Sequence, residues 1–85
     1  MKVFQMNDCD WYVAETLDAA IAQCCEDSGL PREEATEDPQ ELSDADLDRM
    51  IFLDEETGER TFRAELDRLV AQGIHRPQIF ASTEY

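Results

Sequence analysis

The sequence predicts an α+β fold, a small, mainly antiparallel sheet of three or four strands with two main helices packed on one face. Three observations predict it. Two stretches carry apolar residues at helical spacing, and several short apolar or aromatic runs are bounded by turn residues. The third is size: 85 residues make one domain, which buries roughly 60–70% of its unfolded surface and so holds only a modest core. Stacking both helical stripes on a sheet is the economical way to bury them.

Taken in order, Lys2 to Met6 reads as a short strand, and Asn7-Asp8 as a turn. Trp11 to Glu15 has the aromatic and β-branched content of a second strand, which would complete a hairpin. Thr16 then looks like an N-cap, because Leu17, Ala20, Ile21, Cys24 and Cys25 fall on one helical stripe. Gly29 suits the left-handed residue that closes such a helix, and Pro31 hinders continuation. Residues 31–42 are too poor in apolar side chains for a core helix. They read as a surface excursion with helical turns, one after Pro31 and one from Asp38-Pro39 through Leu42. Ser43 caps a further turn, with Asp44 and Asp46 at the positive end of its dipole. Met50 to Leu53 is a continuous apolar run, read as a buried strand, and Asp54 to Arg60 reads as a turn around Thr57-Gly58. Thr61 caps a second helix with the stripe Phe62, Leu66, Leu69 and Val70, ending near Gly73. After Pro77, Gln78 to Ser82 forms a closing strand.

The charge is distributed unevenly. Residues 26–59 hold fourteen carboxylates against two arginines, a net of −12 in a chain whose total is −14. The first 25 residues carry −3 and the last 26 carry +1. Like charges three or four apart on a helix repel by ~0.2–0.5 kcal/mol per pair. Glu33/Glu37, Glu34/Asp38, Glu37/Glu41 and Asp44/Asp48 all have that spacing. Folding alone would favour interspersed lysines, and the chain has a single one, Lys2. Something other than folding must offset that repulsion.

Composition narrows the function. The apolar fraction is 42%, with Trp11, two tyrosines and four phenylalanines, which describes a globular chain rather than a solvated tail. No apolar run approaches the ~20 residues of a membrane span, and the N-terminal stretch has no signal-peptide character. An acidic surface argues against anionic lipid and against direct nucleic-acid binding. Three cysteines, Cys9, Cys24 and Cys25, form an odd set without C-x-x-C spacing, which suits the reducing cytoplasm.

No catalytic or cofactor motif stands out, and neither a cofactor nor a metal is expected. Asp44-x-Asp46-x-Asp48 with Glu55 partly matches a calcium loop, but Arg49 stands where that loop turns on glycine. Cys24 and Cys25 read as small hydrophobes of the helix stripe, and His75 as a helix-end residue. Neither a nucleophile elbow nor a phosphate-cradling loop is present. The carboxylates lie in polar sequence that would not retune them for acid–base work. The chain is therefore read as no enzyme.

The segments Asp8-Cys9-Asp10-Trp11, Ser43-Asp44, Thr61-Phe62-Arg63 and Phe80 to Tyr85 resemble a family of small acidic proteins encoded by phages and prophages. Size, acidity and the missing catalytic motif are more loosely similar to phage-encoded inhibitors of host defence, the anti-CRISPR proteins and other DNA mimics. That resemblance implies an inhibitory binding function in the host cytoplasm. Duplex DNA carries one charge per ~1.7 Å of axis, and a folded acidic face can present a comparable local density. The expectation is a binding protein whose acids occupy the basic channel of a nucleic-acid-binding partner. The residues assigned to it are Glu33, Glu34, Glu37, Asp38, Glu41, Asp44, Asp46, Asp48, Glu55 and Glu56. A different class is an accessory protein whose acidity serves solubility or salt adaptation, for which six arginines against one lysine speak. It would bind through an apolar patch or exposed strand edge, with the terminal strand and Tyr85 as candidates.

Overall fold

The computed structural model describes residues 1–54 and 58–82. Strands β1 (Lys2–Gln5) and β2 (Asp10–Ala14) form the expected hairpin, with Val3 opposite Val13 and Phe4 opposite Tyr12. Asn7 holds its loop. The Asn7 side-chain oxygen accepts from the backbone N–H groups of Cys9 (2.8 Å) and Asp10 (3.0 Å), the Asx geometry that makes asparagine a turn former. Helix α1 (Leu17–Ser28) begins at Thr16, whose hydroxyl accepts from the Ala19 N–H at 3.1 Å. It ends at Gly29, at φ 71°, where a side chain would be strained.

Helix α2 (Arg32–Ala35) follows Pro31 as the sequence suggests, but the next stretch differs. Asp38 turns the chain at φ 51°, and Gln40–Glu41 becomes a short strand, β3, antiparallel to β1. The Asp38-Pro39 helical turn does not form. Instead Glu37 N–H donates to the Met6 carbonyl (2.8 Å) and Leu42 N–H to the Val3 carbonyl (2.9 Å). This zipping draws Leu42 into the core, 6% exposed.

Helix α3 (Asp44–Arg49) opens with a capping box, in which Ser43 Oγ accepts from the Asp46 N–H and the Asp46 carboxylate from the Ser43 N–H. Among the described residues strand β4 (Ile51–Asp54) pairs only with β5 (Gly58–Thr61), as a separate two-stranded ribbon. The run expected to be a buried strand thus starts at a half-exposed Ile51, and Gly58 to Arg60, expected in a turn, are strand residues. Helix α4 (Phe62–Ala71) is capped by Thr61, whose hydroxyl accepts from the Ala64 N–H at 3.1 Å. Strand β6 (Gln78–Ser82) closes the main sheet against β2, giving the order β3-β1-β2-β6, all antiparallel.

The fold class is the α+β expected, with a small antiparallel sheet, but the two main helices do not share a face. Phe4, Tyr12 and Ala14 pack with Ala20, Ile21 and Cys24 of α1. Val3, Trp11 and Val13 pack with Phe62 and Leu66 of α4 and with Leu47 of α3. Alternation sends neighbouring strand residues to opposite faces, and β1 and β2 are apolar at both parities, so each face needs its own cover. On the α4 side Trp11, Phe52, Phe62 and Phe80 meet edge to face, with centroids 5.0–6.5 Å apart. Such pairs contribute about 0.5–1.5 kcal/mol each beyond area burial. No described helix is long and apolar enough to cross a membrane.

Candidate functional site: an acidic groove beside the sheet edge

Eight of the ten carboxylates assigned to partner binding lie among the described residues. Three of them, Glu33, Glu34 and Glu37, line a groove of about 570 Å³ between the end of α1, α2, the hairpin loop and β6. Asp10, Tyr12 and Asp27 also line it. Asn7 closes one end, its amide donating to the Ala35 carbonyl (3.1 Å) and to Asp10 Oδ2 (3.2 Å), which ties the hairpin loop to α2. Asp38 sits exposed just beyond, at the left-handed turn. Among the described residues, no ion pair joins Asp27, Glu33, Glu34, Glu37 or Asp38 to a cation.

At the groove floor the buried Tyr12 hydroxyl donates to Asp27 Oδ2 at 2.8 Å, and Gln23 donates to the other Asp27 oxygen at 2.8 Å. Burial, then the hydrogen bond to Asp27 and its charge, hold the Tyr12 phenol well above its ordinary range. Burial likewise pushes the Cys24 thiol up, helped by the charge of Asp10, and its sulfur lies 3.6 Å from the Ala35 carbonyl. Both groups therefore stay protonated, and Cys24 is the packing residue its place in the stripe suggested. Two large, exposed apolar side chains, Leu30 and Ile79, also line this groove. The result is a trough of carboxylates with aliphatic flanks.

Glu41, Asp44, Asp46 and Asp48 each lie beside a cationic side chain. Arg63 of α4 pairs with Asp48 and with Asp44 (3.1 Å), and also donates to the Asp44 backbone carbonyl at 3.2 Å. Asp46 is held by Arg49 at 2.7 Å as well as by its capping role. Glu41 lies 3.5 Å from Lys2 across the β1–β3 pair. Asp44, Asp46 and Asp48 belong to a helix rather than to a cation-binding loop. Glu55 and Glu56 lie outside the described residues, as does Tyr85.

Sequence reasoning missed Glu65. It is buried on α4 at 2% exposed, whereas Val70, expected in the stripe, is 50% exposed. Its carboxylate sits between Arg60 of β5 and Arg68 one turn along. Burial alone would raise its pKa, but hydrogen bonds from Arg68 and Arg60 outweigh that and hold it below the usual carboxylate range. Arg60 also lies 5.2 Å from the Phe52 ring centroid, so this cluster fastens the ribbon to α4. Only the Glu65/Arg68 spacing hinted at it. Tyr12 and Asp27 were missed as well, because their meeting depends on α1 crossing the sheet and leaves no local signature.

Among the described residues no three metal-ligating side chains gather, and His75 lies apart, its Nδ1 3.2 Å from the Gly73 carbonyl. Chemically, the groove offers hydrogen-bond acceptors and negative charge. No known protein family, curated protein or solved structure matches the chain.

Proposed function

We propose that the chain is a non-enzymatic binding protein whose acidic face takes the place of nucleic-acid phosphates in the basic channel of a nucleic-acid-binding protein, the mode of action that its likeness to anti-CRISPR proteins implies. The observation that carries this reading is the set Asp27, Glu33, Glu34 and Glu37, clustered along one groove with no paired cation of the described chain. Carboxylates with no described cation beside them, in a chain of net charge −14, favour and steer encounter with a cationic surface. Competition tests it. A partner captured at low salt should be released by duplex DNA, and its affinity should fall steeply as salt rises. A partner that holds DNA and this chain together would contradict the reading. A second reading, an accessory protein that docks through its terminal strand, draws on the half-exposed Ile79 of β6. It predicts binding that persists at high salt.

A further inference from the structure

We infer that the groove accepts an extended basic segment of the partner, paired to the outer edge of β6 as a fifth strand, with alternate lysine or arginine side chains lying in the trough. This rests on the basic-partner reading above and adds how such a partner is held.

The first observation is the edge. Among the described residues β6 pairs only with β2, so its outer backbone groups stand open to a further strand. The opposite edge, β3, is two residues long and offers little. Exposed edges are usually blunted by charge, yet Gln78-Ile79-Phe80-Ala81-Ser82 is the one strand of the described chain with no charged residue. The register shift opposite Trp11/Tyr12 sets Phe80 into the aromatic cluster and leaves Ile79 48% exposed.

The second observation is what adjoins that edge. Ile79 lines the same groove as Glu33, Glu34 and Glu37, so a strand laid on β6 runs alongside them. Alternate residues of a strand project to one side about 6.6–6.8 Å apart, so more than one cationic side chain of such a segment faces the trough. Leu30 and Ile79 supply apolar flanks, which match the aliphatic stems of lysine and arginine beneath their charged ends. Charge selects the occupant. A second copy of this chain would bring another −14 against the groove, whereas a basic strand neutralises it.

The test uses a short synthetic peptide of alternating lysine and valine. Its partner peptide is identical except for N-methylation of every second backbone amide on the pairing edge. The alternating peptide should bind the full chain and slow hydrogen exchange at the β6 amides that β2 does not take up. N-methylation should weaken binding by about tenfold or more, because two or three inter-strand hydrogen bonds are lost. Equal binding of both peptides, or unchanged β6 exchange, would overturn the strand-addition inference while leaving a charge-driven partner reading intact. Failure of the unmodified peptide to bind would overturn it too, and the DNA-competition experiment would then decide the basic-partner reading by itself. Glu33→Lys with Glu34→Lys should abolish peptide binding, and undiminished binding would count against both.

Discussion

Two neighbouring acidic stretches have opposite fates in this fold. Around the groove, Glu33, Glu34, Glu37 and Asp38 face solvent with no described cation on them. A few residues on, Asp44, Asp46 and Asp48 are gathered by Arg63 and Arg49. The difference lies in what packs nearby. Helix α3 lies against α4, where Arg63 reaches back between two aspartates one turn apart and turns their repulsion into a shared contact. Helix α2 borders α1 and the hairpin loop, where Asp27 and Asp10 add negative charge. Density of acid along a chain is therefore a poor guide to where negative charge remains unanswered. Tertiary placement of a few arginines decides that.

The largest expected effect comes from the most completely paired acid. Glu65→Ala leaves Arg60 and Arg68 without their shared buried carboxylate and should destabilise the fold by about 2 kcal/mol or more, read as a lower urea midpoint. The pH dependence follows from its depressed pKa. The Glu65 contribution is fully present above the unfolded value of about 4.3 and is lost as pH falls through the lower folded value. The stability gap between the wild type and Glu65→Gln should accordingly narrow in acid. A gap that widens there would show that the pair is not what holds the ribbon.

The groove's own internal contact should give a smaller effect. Tyr12→Phe removes the hydrogen bond to Asp27 and should cost about 1 kcal/mol near neutrality. Because the folded pKa of Tyr12 is raised, its contribution is fully present below about 10 and fades as pH rises through the folded value. Denaturation of both proteins at neutral and strongly alkaline pH checks the sign.

The smallest effects separate the two acidic stretches most cleanly, since their signs differ. Glu33→Gln, Glu34→Gln or Glu37→Gln should each raise stability at low salt by a few tenths of a kcal/mol, by relieving unanswered repulsion. Asp48→Asn should lower it, by loosening Arg63. Added salt should shrink both changes. Thermal melts at two ionic strengths suffice, and changes of the same sign would erase the distinction.

Local chemistry was legible in the sequence where it acts locally. Thr16, Ser43 and Thr61 cap the helices they were expected to cap, Gly29 closes α1, and the last strand spans Gln78–Ser82. What escaped was set at long range. Helices on opposite faces follow from two strands apolar at both parities, which a one-faced reading of Val3 to Met6 and Trp11 to Ala14 overlooked. The β3 pairing depends on β1, far earlier in the chain, and the β4–β5 ribbon hid in a run that looked apolar enough for a central strand. Of the candidate site, the acids of α2 were named while the groove around them was not. Neither Tyr12 nor Ile79 shows in sequence that it adjoins Glu33 and Glu37.

The most direct measurement compares two charge-matched triple variants for affinity to the alternating lysine–valine peptide at low salt. Glu33→Gln/Glu34→Gln/Glu37→Gln should lose binding by about one to two orders of magnitude, while Asp44→Asn/Asp46→Asn/Asp48→Asn should stay within about threefold of the parent. Equal losses in the two proteins would mean that net charge alone attracts the peptide, and would contradict the groove as the seat of recognition.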